Sequence, residues 1–444
     1  MSSTNVRTAH RQTITGAEFN HNGLKVAKHS NEDQLIRLTM AHMLFEKSFY
    51  MDGKASADLL AETAAKCSPD FVALTAVRAR TEFKLRHVPL LLARTLAKSS
   101  KLSAATLAEV IQRPDEMSEF LSLYWKDGKQ PISNQVKKGL GLAFSKFNEY
   151  QLAKWDKNSS AISLRDVMFL AHPKPANAEQ EALFKRVANK ELMTPDTWET
   201  ELSAGADKRV TFTRLMREKK LGALAFLRNL RNMRDAGVSD AEIRTYGSMV
   251  NVDRVLPFRF IAAARIVPQF ENMLEEMMFR ALAGMPKLPG KTVLLVDISG
   301  SMFGTKVTEK SDLDRFDAAC ALAILARELC ENVEIFSFST STVRVAPRRG
   351  FALAEAIKNS QRAGGTDLGQ AISAVNREVG QFDRCICFTD EQTSTAPGKI
   401  KSSKNYVLNV GSYKNGINNY DWLTITGFSE SVFGYIQAFE TLSQ

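Results

Sequence analysis

The chain has 444 residues, 44% of them hydrophobic and 24% charged, which is enough apolar material for more than one core and too much for a disordered chain. The first twenty residues are polar and lack an apolar h-region, and no run reaches the roughly 18 apolar residues of a membrane span, so a cytoplasmic protein with no leader and no membrane partner is expected. The formal charge of +10 is uneven: of 59 Lys and Arg and 49 Asp and Glu, residues 287–444 hold 17 of each, leaving 42 against 32 upstream, a balance that favours a polyanion as partner of the N-terminal part.

From about Asn31 to Ala283, apolar residues recur every three or four positions, as in "LLARTLA", "LRDVMFLA" and "LGALAFLRNLRNM". This is the period of helices with one buried face, and no strand pattern interrupts it. Pro69, Pro89, Pro114, Pro131, Pro173, Pro195, Pro257 and Pro268 read as stop signals that cut the stretch into helices of ordinary length. Many short helices in series predict a HEAT-like solenoid, on helix density alone, since no fixed repeat period is visible.

"GMPKLPGK", Gly284–Lys291, punctuates the chain as a linker, and the grammar then changes. "TVLLVDIS" is a continuous apolar run of the kind buried on both faces of a parallel sheet, and the helix "RFDAACALAILARELC" follows it. Next come a strand, "VEIFSFS", two helices around "ALAEAIKNS" and "LGQAISAVNREVG", the strands "RCICFTD" and "NYVLNVG", and a helix near "ESVFGYIQAF". Such alternation implies a doubly wound, Rossmann-like domain. The fold class is therefore α + α/β, divided into a polar, partly disordered arm at 1–30, a helical-repeat domain at 31–286 and an α/β domain at 287–444. A phosphate loop at "GKT" is rejected, because its glycine spacing is one residue too long and it precedes its strand. The five cysteines are odd in number and read as buried reduced thiols.

The first α/β strand ends in "DISGS", which places Asp297, Ser299 and Ser301 on a turn at its carboxyl end, the edge where ligands collect in a parallel sheet. "GGTD" brings Thr366 and "FTD" brings Asp390 to the same edge. Five oxygen donors without sulfur or imidazole suit one hard divalent cation, Mg2+ or Mn2+. Taken alone, "DxSxS" is equally a helix-capping pattern. Catalysis is not expected: the α/β domain contains no histidine and offers no nucleophile and base pair.

In the helical part the candidate contacts to a polyanion are Lys137, Lys138, Lys154, Lys157, His172, Lys174, Arg228, Arg231 and Arg234, the three arginines spaced along one helix stripe. Clustered cations neutralise phosphates and release counterions, but each one taken singly is as readily a solvated surface charge.

"LRNLRNMRDAGV", "VLPFRFIAAAR" and "LRDVMFLAHPKP" resemble signature stretches of the TROVE module. The order of that module and then a von Willebrand factor A domain, with "DISGSM", "AGGTD", "FTDEQT" and "WLTITGFSESVFGYIQAF", resembles the Ro family from about residue 31 to the C-terminus. The resemblance implies a ring of helical repeats joined to an A domain with a metal-ion-dependent adhesion site. It also implies binding of Y RNA, a small noncoding stem-loop RNA, and of misfolded or single-stranded RNA, with an exoribonuclease as partner in RNA quality control. It places the family's Y RNA histidine on His172 and the family's "KYKQRN" contacts on Lys154 and Lys157, where a lysine replaces the arginine. The glycine-rich loop near the family's start is replaced here by "FEKSFYMDG", so no contact carries over there. The expected function is a non-enzymatic RNA scaffold or chaperone. The alternative is a metal-dependent protein-interaction module with a helical docking array.

Overall fold

The computed structural model describes residues 30–41, 53–156, 161–253, 255, 257–306, 313–395, 397–411, 422–426 and 431–442. The expected arm at 1–30, all of "FEKSFYMDG" except Gly53, and Lys157 lie outside these residues. By compactness the chain divides into a helical unit, residues 30–40 and 54–246, and a unit that takes in 247–444.

The helical unit contains α1 (Asn31–Ala41), α2 (Gly53–Ala65), α3 (Pro69–Thr81), α4 (His87–Lys98), α5 (Ala104–Val110), α6 (Asp115–Tyr124) and α7 (Asn134–Phe144). It continues through α8 (Glu149–Trp155), α9 (Leu164–Ala171), α10 (Ala178–Asn189), α11 (Trp198–Ser203), α12 (Lys208–Arg217), α13 (Ala223–Asp235) and most of α14 (Asp240–Met249). Short polar side chains start these helices: Ser68, Ser103, Ser133, Asn148, Ser163, Asn177, Thr197 and Asp207 each accept from a backbone N–H of the first turn that has no partner within the helix. The prolines separate the helices, but Pro69, Pro89 and Pro114 do so from the start or first turn of the following helix, where the missing N–H is not needed.

Alternate helices stack in a layer, α3 on α5, α5 on α7 and α7 on α9, while α4 packs on α6. Gly139 permits the close approach of α5 and α7, since a Cβ there would lie 2.8 Å from the Cβ of Leu107. Leu92, Leu107, Phe120, Leu140, Phe144 and Val167 are completely buried along this series. Stacking of helix pairs is the HEAT-like arrangement the helix density predicted, and no strand occurs among the described residues upstream of Leu288.

The second unit begins ahead of the compositional linker, with α15 (Phe258–Ile266) and α16 (Glu271–Leu282) packed on each other. Both are tied to the α/β layers. Arg265 pairs with Asp317 of α17 (Arg315–Leu329), and Glu275 accepts from the N–H of Phe351 at 2.7 Å in α18 (Gly350–Lys358). Gly350 is required at that junction: its φ is +55°, and a Cβ would collide with the Glu275 carboxylate.

The sheet has six strands, β1 (Leu288–Asp297), β2 (Cys330–Phe338), β3 (Thr342–Arg344), β4 (Arg384–Thr389), β5 (Lys404–Asn409) and β6 (Leu423–Thr426), in the order β3-β2-β1-β4-β5-β6. All neighbours are parallel except the edge pair β2 and β3. β3 and β6 are short edge strands that periodicity did not reveal. α19 (Leu368–Glu378) buries Leu368, Ile372 and Val375 against Val293, Leu295 and Phe336 of the sheet, and α20 (Ser431–Leu442) ends the described chain. Arg384 of β4, wholly buried, pairs with Glu440 of α20 and donates to Thr292 Oγ1 at 2.8 Å, and Glu440 also accepts from Lys404 at 3.0 Å and from the Tyr406 hydroxyl at 3.1 Å. The free cysteines Cys320, Cys330, Cys385 and Cys387 are buried, and burial raises the pKa of each thiol.

Candidate functional site

The sheet order reverses direction between β1 and β4, and the carboxyl ends of those strands carry Asp297 and, one residue beyond Thr389, Asp390. Both carboxylates and Ser299 are buried, Thr366 is nearly so and Ser301 is half-buried. The loops are tied together by backbone. Gly300 N–H donates to the carbonyl of Gly364 at 2.9 Å, and the carbonyl of Thr366 accepts from the backbone N–H of Ser394 at 2.9 Å and its hydroxyl at 2.7 Å. The three sequence segments that supply the five predicted oxygen donors therefore meet at one point of the sheet edge.

Within that point the hydroxyls of Ser299 and Ser301 lie 3.2 Å apart. Asp297 is fixed at both oxygens, Oδ1 accepting from Ser299 N–H at 2.8 Å and Oδ2 from the Thr389 hydroxyl at 2.6 Å. Thr389 in turn accepts from the N–H of Glu391, a residue at φ +61° whose carboxylate accepts from Asn409 at the end of β5 at 2.9 Å. A non-glycine residue in the left-handed region, buried beside two aspartates, is backbone strain held in place by its surroundings. Asp390 has a counter-ion: the buried guanidinium of Arg315 donates to its Oδ2 at 3.0 Å and to the Ser301 carbonyl at 3.3 Å, and Asp390 Oδ1 accepts from Gln392 N–H at 3.2 Å.

Three buried carboxylates, Asp297, Asp390 and Glu391, face one buried guanidinium, which leaves excess negative charge in a low-dielectric place. Burial first, and the charge of Asp390 second, push the Asp297 carboxyl up to about 7. A proton or a cation satisfies that charge, and the donor set of carboxylate and hydroxyl oxygens suits a hard divalent ion. Among the described residues no group of three or more His, Cys, Asp and Glu converges, so a metal centre built on those types alone is absent. Sequence reasoning missed Arg315, Thr389, Glu391 and Asn409. Only Arg315 had a signal, as a charge inside an apolar helix, and that signal does not say where the charge points.

The RNA candidates fall on several helices. Lys137 is half-buried and Lys138 exposed on α7, and the half-buried Lys154 on α8 holds its ammonium 5.7 Å from the centre of the Tyr150 ring. Arg228, Arg231 and Arg234 are all exposed on α13. Arg234 is paired with Asp235, whereas Arg228 and Arg231 have no ion-pair partner among the described residues. His172 caps α9 through its backbone: at φ +50° its N–H donates to the carbonyl of Met168 at 2.9 Å, and its ring is exposed. α7 is set against the turn beyond α9 by Gly141, where a Cβ would lie 3.6 Å from Pro173 Cα and 3.7 Å from the carbonyl of Ala171.

A family model for the TROVE domain matches residues 188–285, and a model for the Ro60 vWA domain matches residues 291–406. No curated protein sequence matches. The fold is similar to the crystal structure of the Ro (RSR) protein of Deinococcus radiodurans, with a TM-score of 0.63 and 20% identity over 92% of this chain and 99% of that one. The boundary between the matched domains coincides with the compositional linker, whereas the boundary by packing lies at Tyr246 and Gly247. The chain thus carries a TROVE domain followed by a Ro60-type vWA domain, the pair and the order that the resemblance to the Ro family implied.

Proposed function

We propose that this protein is a non-enzymatic RNA-binding scaffold of the cytoplasm. Its helical unit holds a small noncoding RNA of the Y type together with misfolded or single-stranded RNA ends, and its α/β unit presents a divalent cation. The observation that carries the reading is the exposed basic side chains that have no ion-pair partner among the described residues, Lys138, Arg228 and Arg231 among them, the two arginines inside the stretch matched as a TROVE domain. Such groups exchange condensed counterions for phosphates at little structural cost, because no existing pair must break. The His172 ring supports the same reading, since capping is done by its backbone and leaves the imidazole available to a base or a phosphate. An exoribonuclease partner is proposed on the family resemblance alone.

In the α/β unit the proposed ligands are Asp297, Ser299, Ser301, Thr366 and Asp390, holding Mg2+ or Mn2+. When bound, the ion offers a coordination position to an acidic group of a partner. Thr389 and the Ser299 N–H orient Asp297, and Arg315 holds Asp390, so the carboxylates do not have to reorganise to receive it.

Gel shifts of the full chain with a structured RNA, a 3′-tailed RNA and a stem-loop, across a salt series, test the RNA reading. Affinity should fall steeply with salt for all three. Affinity that does not change between low and physiological salt removes the electrostatic basis of the proposal. His172→Asn keeps a residue tolerant of the left-handed cap while removing the ring. It should weaken the stem-loop selectively, with an unchanged melting temperature.

A further inference from the structure

We infer that Phe169, with Arg165 held beside it on α9, is a base-stacking platform for single-stranded RNA. The inference rests on the RNA-binding reading and adds to it a contact that recognises the base and not the phosphate.

Phe169 is 49% exposed and Tyr150 45%, and they are the two aromatic rings among the large hydrophobic side chains left exposed in the described residues. Large apolar groups on a surface are common singly. These two are distinguished by what lies over them: the guanidinium of Arg165 sits 4.9 Å from the centre of the Phe169 ring, and the ammonium of Lys154 sits 5.7 Å from that of Tyr150. In both cases cation and ring are four residues apart on a helix, so one turn of backbone fixes the pair.

At Phe169 the arrangement is held further. Arg165 Nε donates to the carbonyl of Ala188 at 2.6 Å, which anchors the guanidinium to the end of α10 beside the ring. His172, three residues after Phe169, ends the helix in the left-handed conformation with its side chain exposed. The acidic neighbour Asp166 is engaged in the capping box with Ser163, whose hydroxyl and N–H hold its carboxyl below the usual range. The face therefore presents an anchored cation and an aromatic ring, with His172 and Lys174 exposed beyond the end of the helix. A flat, electron-rich ring next to fixed positive charge fits a nucleobase with its phosphate attached. An apolar peptide segment would gain nothing from the cations.

The test uses the full chain and two fluorescently labelled oligouridylates of equal length, one intact and one with an abasic site at each successive position. Phe169→Leu preserves exposed apolar area and charge while removing the aromatic face. It should lower affinity for the intact strand about tenfold, with the slope of affinity against salt unchanged. Phe169→Tyr should restore it. One abasic position should cost the wild type a similar factor and cost Phe169→Leu nothing further. Equal binding of intact RNA by wild type and Phe169→Leu overturns the stacking site and leaves the ring as a protein contact, while the RNA reading stands. A wild type that binds no RNA overturns both. Phe169→Trp, followed by quenching of the new indole on RNA addition, supplies a second readout should Phe169→Leu fold poorly. An unquenched indole in an RNA-bound complex counts against the platform.

Discussion

The two units manage most of their charged groups in different ways. In the helical unit most cations are at the surface, Arg80 with the buried Glu116 excepted, and many are already matched: Arg78 with Glu82, Arg94 with Asp127, Arg186 with Glu149, and Arg214 and Lys220 with Asp196. Its net positive charge is thus a poor count of what can meet an anion. The groups available are the exposed ones without an ion-pair partner among the described residues, Lys138, Arg228 and Arg231 among them. In the α/β unit net charge is zero, yet the groups that matter are buried: Asp297 and Asp390 at one end of the sheet, and Arg384 with Glu440 at the other. Exposed charges are worth little to stability and are readily given to a ligand, whereas buried charges demand partners and hold the fold or a cation.

Removing one partner of the buried pair should produce the largest effect. Glu440→Ala leaves the Arg384 guanidinium without its carboxylate in the core, and should destabilise the α/β unit by about 3–5 kcal/mol. Denaturant unfolding followed by the fluorescence of Trp422, the tryptophan of this unit, would register it. A loss below about 1 kcal/mol would mean that this unit tolerates charge as the helical unit does.

Asp297→Asn removes the charge but leaves a single acceptor oxygen for the Ser299 N–H and the Thr389 hydroxyl, and divalent-ion affinity by calorimetry should fall below detection while the melting temperature changes little. The sign with pH follows from the raised pKa. Between the ordinary carboxylate range and about 7 the folded state holds a proton that the unfolded state has lost, so this carboxyl stabilises the metal-free fold in acid and loses that contribution as pH rises through 7. Ion binding must displace the proton. Mg2+ or Mn2+ affinity should therefore increase from pH 6 to pH 8 and level off above, and affinity independent of pH across that span would contradict a site centred on Asp297.

Smaller still is the effect of Arg228→Ala combined with Arg231→Ala. RNA affinity should drop several-fold, with the slope of log affinity against log salt shallower by about 0.7 for each lost phosphate contact on a single strand. Stability should be unaltered, since neither guanidinium holds an ion pair among the described residues. Weakened RNA binding with an unchanged slope would locate the stripe outside the RNA path.

Much of this was legible in the chain. The 3.6-residue period of the N-terminal part, its Ser, Asn and Asp caps, the apolar run of β1 and the "DISGS" turn each depend on a few neighbouring residues, so local physical chemistry determined the helices, the parallel strands and the carboxylates at their ends. Prolines read as stops turned out to be starts, because both uses place Pro at a helix boundary and only the backbone distinguishes them. What required the tertiary structure was every relation between distant segments. The boundary at Gly247 arises because Arg265 and Glu275 find partners on α17 and α18. Arg315 meets Asp390 across 75 positions, and Arg384 meets Glu440 across 56. The exposure of Phe169 is of the same kind. Its helical period marked it only as apolar, and which apolar residue is left facing solvent depends on how the neighbouring helices cover α9, a matter of three-dimensional packing that no local pattern encodes.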